Sequence, residues 1–209
     1  MHPNTMFRKE TEAQNIDFAR EQGFGILAVT TPDAPLISHI PFLLSPDGTV
    51  TEFHLVRSNP IARALKTAPL KARLAVQGAH SYVSPDWYDV DDQVPTWNYV
   101  AVHLTGEITL RPVDEMRDLL DRQSELFEKR LLPKTPWTTG KMTPEVLDRM
   151  MRQIVPCRMQ VDKIEGTWKL GQNKPDKVRQ NAADHMEGFG IGNEVRILSA
   201  LMRGVAPTG

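Results

Sequence analysis

Cysteine is almost absent from this 209-residue chain: Cys157 is the only one. One cysteine cannot close an internal disulfide, which excludes a disulfide-stapled domain and fits a reducing compartment or indifference to redox state. It lies in Cys157-Arg158-Met159-Gln160-Val161, where apolar residues alternate, so we expect a buried strand residue rather than a nucleophile. An excess of one charge is also lacking. Lys and Arg number 25 against 26 Asp and Glu, for a formal net charge of −1, whereas dedicated nucleic-acid binders carry a basic excess. No apolar run has the length that spans a bilayer. The first ten residues, Met1 to Glu10, lack the apolar stretch and small-residue cleavage site of a signal peptide. These absences lead us to expect a cytoplasmic protein without a membrane partner. The six histidines (His2, His39, His54, His80, His103, His185) never pair at helical or zinc-like spacing, so no metal site is expected. Internal repeats and low-complexity segments are absent as well.

What remains is an ordinary globular composition, 40% hydrophobic and 24% charged, sufficient for one domain over residues 1–209. Apolar periodicity predicts a helix over Thr11 to Glu21, closed by Gly23. Strands follow at Phe24 to Thr31, Leu36 to Leu44 and Thr51 to Val56, separated by the turns Pro32-Asp33-Ala34-Pro35 and Ser45-Pro46-Asp47-Gly48. Asn59-Pro60 opens a short helix, Asn59 as N-cap and Pro60 in the first helical position. Lys71 to Gln77 and Ser81 to Ser84 read as two strands around Gly78. Asp86 to Pro95 reads as an acidic loop and Tyr99 to Leu110 as a long strand. A helical insert occupies about 114–155, and its second helix is capped at Thr143-Pro144-Glu145. Cys157 to Leu170 is the last strand, broken near Gly166, and a helical tail covers about 176–203. The pattern predicts a mainly β, α+β fold: about six short antiparallel strands in a closed or partly closed barrel with helical decoration.

Four segments hold more polar and aromatic residues than a core requires. In His54-Leu55-Val56-Arg57-Ser58-Asn59-Pro60 a strand ends just before a helix begins. A helix start presents unpaired N–H groups, Arg57 adds a forked cation suited to phosphate, and Ser58 adds a hydroxyl. The segment reads as a monophosphate cradle without a glycine-rich loop, the plain alternative being an exposed capping turn. In Ser38-His39-Ile40-Pro41-Phe42 the proline frees backbone groups from the ladder; these suit the polar edge of a ring such as a flavin, or simply mark a strand edge. Val94-Pro95-Thr96-Trp97-Asn98-Tyr99 offers a flat apolar face and an amide that both donates and accepts. Trp168-Lys169-Leu170-Gly171-Gln172-Asn173-Lys174 is the fourth.

Together these segments resemble the PaiB-type family of FMN-binding negative transcriptional regulators. The resemblance runs through Ser38 to Leu44, through His54, Arg57, Asn59 and Pro60, through Tyr82 to Tyr88, through Val94 to Tyr99 followed by His103, and through Gly166 to Asn173. Any one match is weak, but the ordered set is specific. Phe53 stands where the family often has glycine, and Ser58 where it has alanine. The resemblance implies a six-stranded antiparallel split β-barrel of the FMN-binding type with C-terminal helices. It implies a homodimer with FMN at the interface, Ser38 and His39 lining the ring and Arg57, Ser58 and Asn59 holding the phosphate. Trp97, Asn98, Lys169 and Gln172 would complete the site, with the contributing protomer left open.

Function then has three readings. The first is a flavin-binding negative regulator of the PaiB type. A DNA partner has little support in the sequence: its best candidate is the tail, where two helices carry Lys174, Lys177, Arg179, Arg196 and Arg203 among interspersed acids. The second reading is an FMN-dependent oxidoreductase, either a flavin reductase or pyridoxamine-phosphate-oxidase-like, with no catalytic dyad legible from spacing. The third, ranked below flavin, is a haem-binding split barrel.

Overall fold

The computed structural model describes residues 1–204. Strands β1 (Phe24–Val29), β2 (Leu36–Pro41), β3 (Leu43–Leu44) and β4 (Val50–Val56) come first, then three long strands, β5 (Leu70–Val83), β6 (Thr96–Leu110) and β7 (Ile154–Lys169), and last the two-residue β8 (Gly192–Asn193). The helices are α1 (Glu12–Gln22), α2 (Pro60–Ala64), α3 (Met116–Glu128), α4 (Pro144–Met151), α5 (Asp176–Phe189) and α6 (Val195–Arg203). The strand order is β2-β1-β5-β6-β7-β4-β3, with β8 on β5. Every pairing whose register is defined is antiparallel.

The order begins on β2 and ends on β3, two strands separated in sequence by Phe42 alone. Among the described residues no ladder joins β2 to β3, yet one bent stretch of chain supplies both ends of the path. Pro41 has no N–H to give a ladder, and the Phe42 amide instead donates to the Gly23 carbonyl at 2.9 Å. The sequence reading placed one strand over Leu36 to Leu44 and about six in all. The described residues contain eight, because this strand splits at Phe42 and because β8 lies in the tail.

The chain forms two compact units, and β5, β6 and β7 each contribute residues to both. One unit contains Ile16–Ala75 and Leu104–Ile164. Its interior holds Leu27, Ile40, Phe42, Phe53, Leu55, Leu74, Leu104, Ile108, Met116 and Met159, all buried. Apart from Phe42, between β2 and β3, and Met116, on α3, these side chains come from the alternate positions that a half-buried strand turns inward, as in the pattern of β4, where Thr51, Phe53 and Leu55 are buried. The other unit contains Met1–Asn15, Val76–His103 and the chain from Glu165 onward. Its core gathers Ala79, Val83 and Tyr88 against Ala182, Ala183, Met186, Leu198 and Met202 of the tail helices.

Two glycines expected to interrupt strands do not. Gly78 lies inside β5 and Gly166 inside β7. At Gly166 a Cβ would sit 1.9 Å from Asn15 Oδ1, and that oxygen accepts a 2.9 Å hydrogen bond from the buried Trp168 indole. Glycine here admits a neighbour rather than ending a strand. Cys157 is buried on β7 as the alternation predicts, and burial pushes its thiol up to about 12.

Candidate functional site

The phosphate-cradle residues sit at the end of β4. Asn59 caps α2 as expected: it is extended, and its Oδ1 accepts from the Ile61 amide at 2.9 Å. Its Nδ2 donates to Ser38 Oγ at 3.1 Å. That bond joins two segments 21 residues apart and brings the strand β2 to the turn at Arg57-Ser58-Asn59. The α2 helix has only five residues, so its aligned dipole is small and the charge at this turn comes from Arg57.

Arg57 is exposed, yet its guanidinium is anchored. Nε donates to the Arg152 carbonyl at 2.9 Å and Nη2 to the Ile154 carbonyl at 3.2 Å, while the Arg57 amide donates to Gln153 O at 2.8 Å. Two of the guanidinium's five N–H donors are thereby engaged, which fixes its plane and leaves the others for a ligand. These carbonyls carry no side-chain signature, and nothing in the sequence announced them. Ser58 is exposed beside Arg57.

Ser38 and His39 point to opposite faces of β2, as consecutive strand residues must. Ser38 turns to Asn59. His39 is exposed and lies opposite Ile26 in the ladder; its face continues through the pairs Ala28–Ile37 and Phe24–Pro41. The exterior around His39 is thus apolar, with Phe24 and Ile37 both exposed. In the ladder, β2 has a strand partner on one side only, β1. Phe53, where the family often has glycine, is fully buried. Its ring fills the interior, and the outward face of β4 is set by Glu52, His54 and Val56.

Trp97, Asn98, Lys169 and Gln172 belong to the other unit. Trp97 is 47% exposed; its ring lies 6.2 Å from His80 and 6.2 Å from Tyr82, edge-on to the latter. Asn98 is buried and donates to Met202 Sδ at 3.4 Å. Lys169 donates to the Trp97 carbonyl at 2.6 Å and also bonds Thr96 Oγ1; burial pushes its ammonium below the usual lysine range. Gln172 clamps the end of β7, its Oε1 accepting from the Leu170 amide at 2.8 Å and its Nε2 donating to Trp168 O at 2.6 Å. Gly171, within that turn, has φ +76°, which glycine adopts without strain. In this set Asn98 and Gln172 hold the chain in place, while Trp97 and Lys169 reach its surface. Thr96, which bonds Lys169, was not singled out from the sequence, although it stands inside the Val94 to Tyr99 motif.

A family described as "Putative FMN-binding domain" matches residues 1–163. The chain is 30% identical over 182 residues to protease synthase and sporulation protein PAI 2 of Bacillus subtilis, covering 86% of each chain. Among solved structures it is similar to the FAD and heme binding protein of Mycobacterium smegmatis, with TM-score 0.57, 16% identity and coverage of 89% of this chain and 83% of that one. It is also similar to a flavocytochrome of Azotobacter vinelandii, with TM-score 0.51, 10% identity and coverage of 80% and 72%. At such identities the likeness is one of fold, and it agrees with the antiparallel split-barrel class expected from the sequence. No helix among the described residues is long and apolar enough to cross a membrane.

Proposed function

We propose that this chain, which belongs to the FMN-binding domain family, holds the FMN phosphate at Arg57 and Ser58 and sets the flavin ring against β2 beside His39. The observation that carries the reading is the bond between Asn59 Nδ2 and Ser38 Oγ, which makes one site of the ring-lining strand and the phosphate turn. The donor set suits the group: a phosphate dianion takes charge-assisted hydrogen bonds from a guanidinium and a hydroxyl, and Arg57 is held in orientation before any ligand arrives. The backbone of β2 on the side away from β1 supplies donors and acceptors for the ring's polar edge. When bound, FMN supplies electron and hydride transfer; the protein supplies position and exclusion of water.

The reading includes a homodimer. The apolar exterior formed by Phe24, Ile26, Ala28, Ile37 and Pro41 around His39 is the face that a second copy covers, with the flavin beside it. Trp97 and Lys169 are the surface groups that the other unit offers a flavin, with the contributing protomer left open; Asn98 and Gln172 act behind them by fixing the backbone. The biological role proposed is negative regulation of the PaiB type, with DNA contact by the tail only weakly supported. Of its five cations, Arg203 is paired with Asp184 and Glu187, and Arg179 with Asp176, which weakens the attraction of this tail for phosphate.

The test is FMN loading followed by desalting, with the visible spectrum and the mass of the particle in solution. One flavin per chain on a two-chain particle supports the reading. A colourless protein, or a flavin held by a monomer, contradicts it.

A further inference from the structure

We propose that the helical insert and the outward face of β4 form a second binding pocket, adjoining the phosphate turn through Gln153 and Ile154 but separate from the flavin site, for a small uncharged aromatic alcohol or phenol. A cavity of about 380 Å³ lies there, walled by Leu120, Trp137, Met142, Leu147, Met151 and Ile154. That volume is in the range of small-molecule sites, roughly 300–1,000 Å³, and accommodates two fused rings. Trp137 offers a flat face. Unbranched methionines adapt to a ring and make favourable sulfur contacts with it. Exposed Met150 stands among the lining residues of α4, a helix with only Leu147 buried.

Of the polar lining residues His54, Ser124, Thr139 and Gln153, His54 is the one with a buried polar atom left unbonded. The side chain lines the cavity, and its Nδ1 is buried with no hydrogen-bond partner. A buried polar atom left in that state is costly, and a ligand that bonds it recovers the cost. Burial also holds the imidazole below the usual histidine range, so at neutral pH one ring nitrogen donates and the other accepts. A hydroxyl matches either tautomer because it does both. Thr139 Oγ1 does not compete, since it already donates to Asp121 at 2.6 Å and accepts from Arg117 at 2.7 Å. No Lys, Arg, Asp or Glu lines the cavity, so a charged ligand would lose its hydration without gaining a counter-ion.

The test is equilibrium dialysis of the flavin-free full chain against 2-naphthol, naphthalene and 2-naphthoate. We expect saturable binding of one 2-naphthol per chain, at least about fivefold tighter than naphthalene, and no binding of 2-naphthoate. His54→Leu should bring 2-naphthol to the level of naphthalene. Ser124→Trp, which fills the cavity from α3, should abolish both, with circular dichroism reporting an intact fold. If that variant fails to fold, His54→Leu decides alone. The proposal is overturned by absence of saturable binding, by an unchanged preference in His54→Leu, by binding that survives in folded Ser124→Trp, or by one-for-one displacement of 2-naphthol by FMN.

Discussion

Replacing Glu52 by glutamine tests how the insert helix α3 is held to the sheet. The Glu52 carboxylate accepts from Arg122 on α3 at 2.8 Å and from Arg158 on β7 at 2.9 Å. Asp118 lies 2.7 Å from Arg122, and Glu115 lies 3.8 Å from Arg158. Burial pushes the Glu52 carboxyl upward, but the bonds and charges of Arg158 and Arg122 outweigh it, and the group lies below the ordinary carboxylate range. Glu52→Gln keeps one oxygen acceptor and turns an NH₂ toward the second guanidinium. A hydrogen bond to a charged group contributes about 1.5–3 kcal/mol. Asp118 and Glu115 still neutralise the arginines, and the Glu52 side chain is 21% exposed, so the loss is about one such bond, discounted for screening to about 2 kcal/mol. For a chain of this size that lowers Tm by about 4–8 °C. Because the folded carboxyl titrates below its free value of 4.5, its stabilisation is complete above that pH and is lost as pH falls through the folded value. Thermal unfolding followed by circular dichroism at pH 7 and pH 3 should show the full difference between wild type and variant at pH 7 and a smaller one at pH 3. An unchanged Tm at pH 7, or a difference that does not vary with pH, refutes the reasoning.

Gly166→Ala drives a methyl into the Asn15 amide and should destabilise by about 1–3 kcal/mol in urea unfolding, as overpacking does. Asn15→Ala removes the acceptor of the buried Trp168 indole and should cost about 1–3 kcal/mol by the same assay. Cys157, buried with its thiol at about 12, should react with a thiol reagent at pH 8 only on the timescale of unfolding. Band-shift titration at low salt, where phosphate attraction is greatest, should show no retardation of duplex DNA.

Strand positions and side-chain alternation were legible where one face is buried; the strand order was not. The strand β4 and most of β6 follow the apolar periodicity, and α2 begins where Asn59 and Pro60 place it. The misreadings have tertiary causes. Gly166 reads as a break until Asn15, 151 positions away, is seen packed against its backbone. Phe42 reads as strand until its amide is seen bonding Gly23 O. For the site, residue types and order marked the phosphate turn and the ring-lining strand. They did not reveal that Ser38 turns toward Asn59 while His39 faces out, nor that Arg57 is braced by the carbonyls of Arg152 and Ile154. The pocket beside His54 was invisible because α3, α4 and the loop between them build most of its walls.

Whether Arg57 holds the FMN phosphate is measured by the affinity of FMN against riboflavin for wild type and Arg57→Ala. The two ligands differ in the phosphate, and a charge-assisted bond is equivalent to about 10–100-fold in affinity. Wild type should prefer FMN by at least that factor, and Arg57→Ala should lose most of the preference while riboflavin binding barely changes. Equal loss of both ligands, or an FMN preference that survives the substitution, would contradict that role for Arg57.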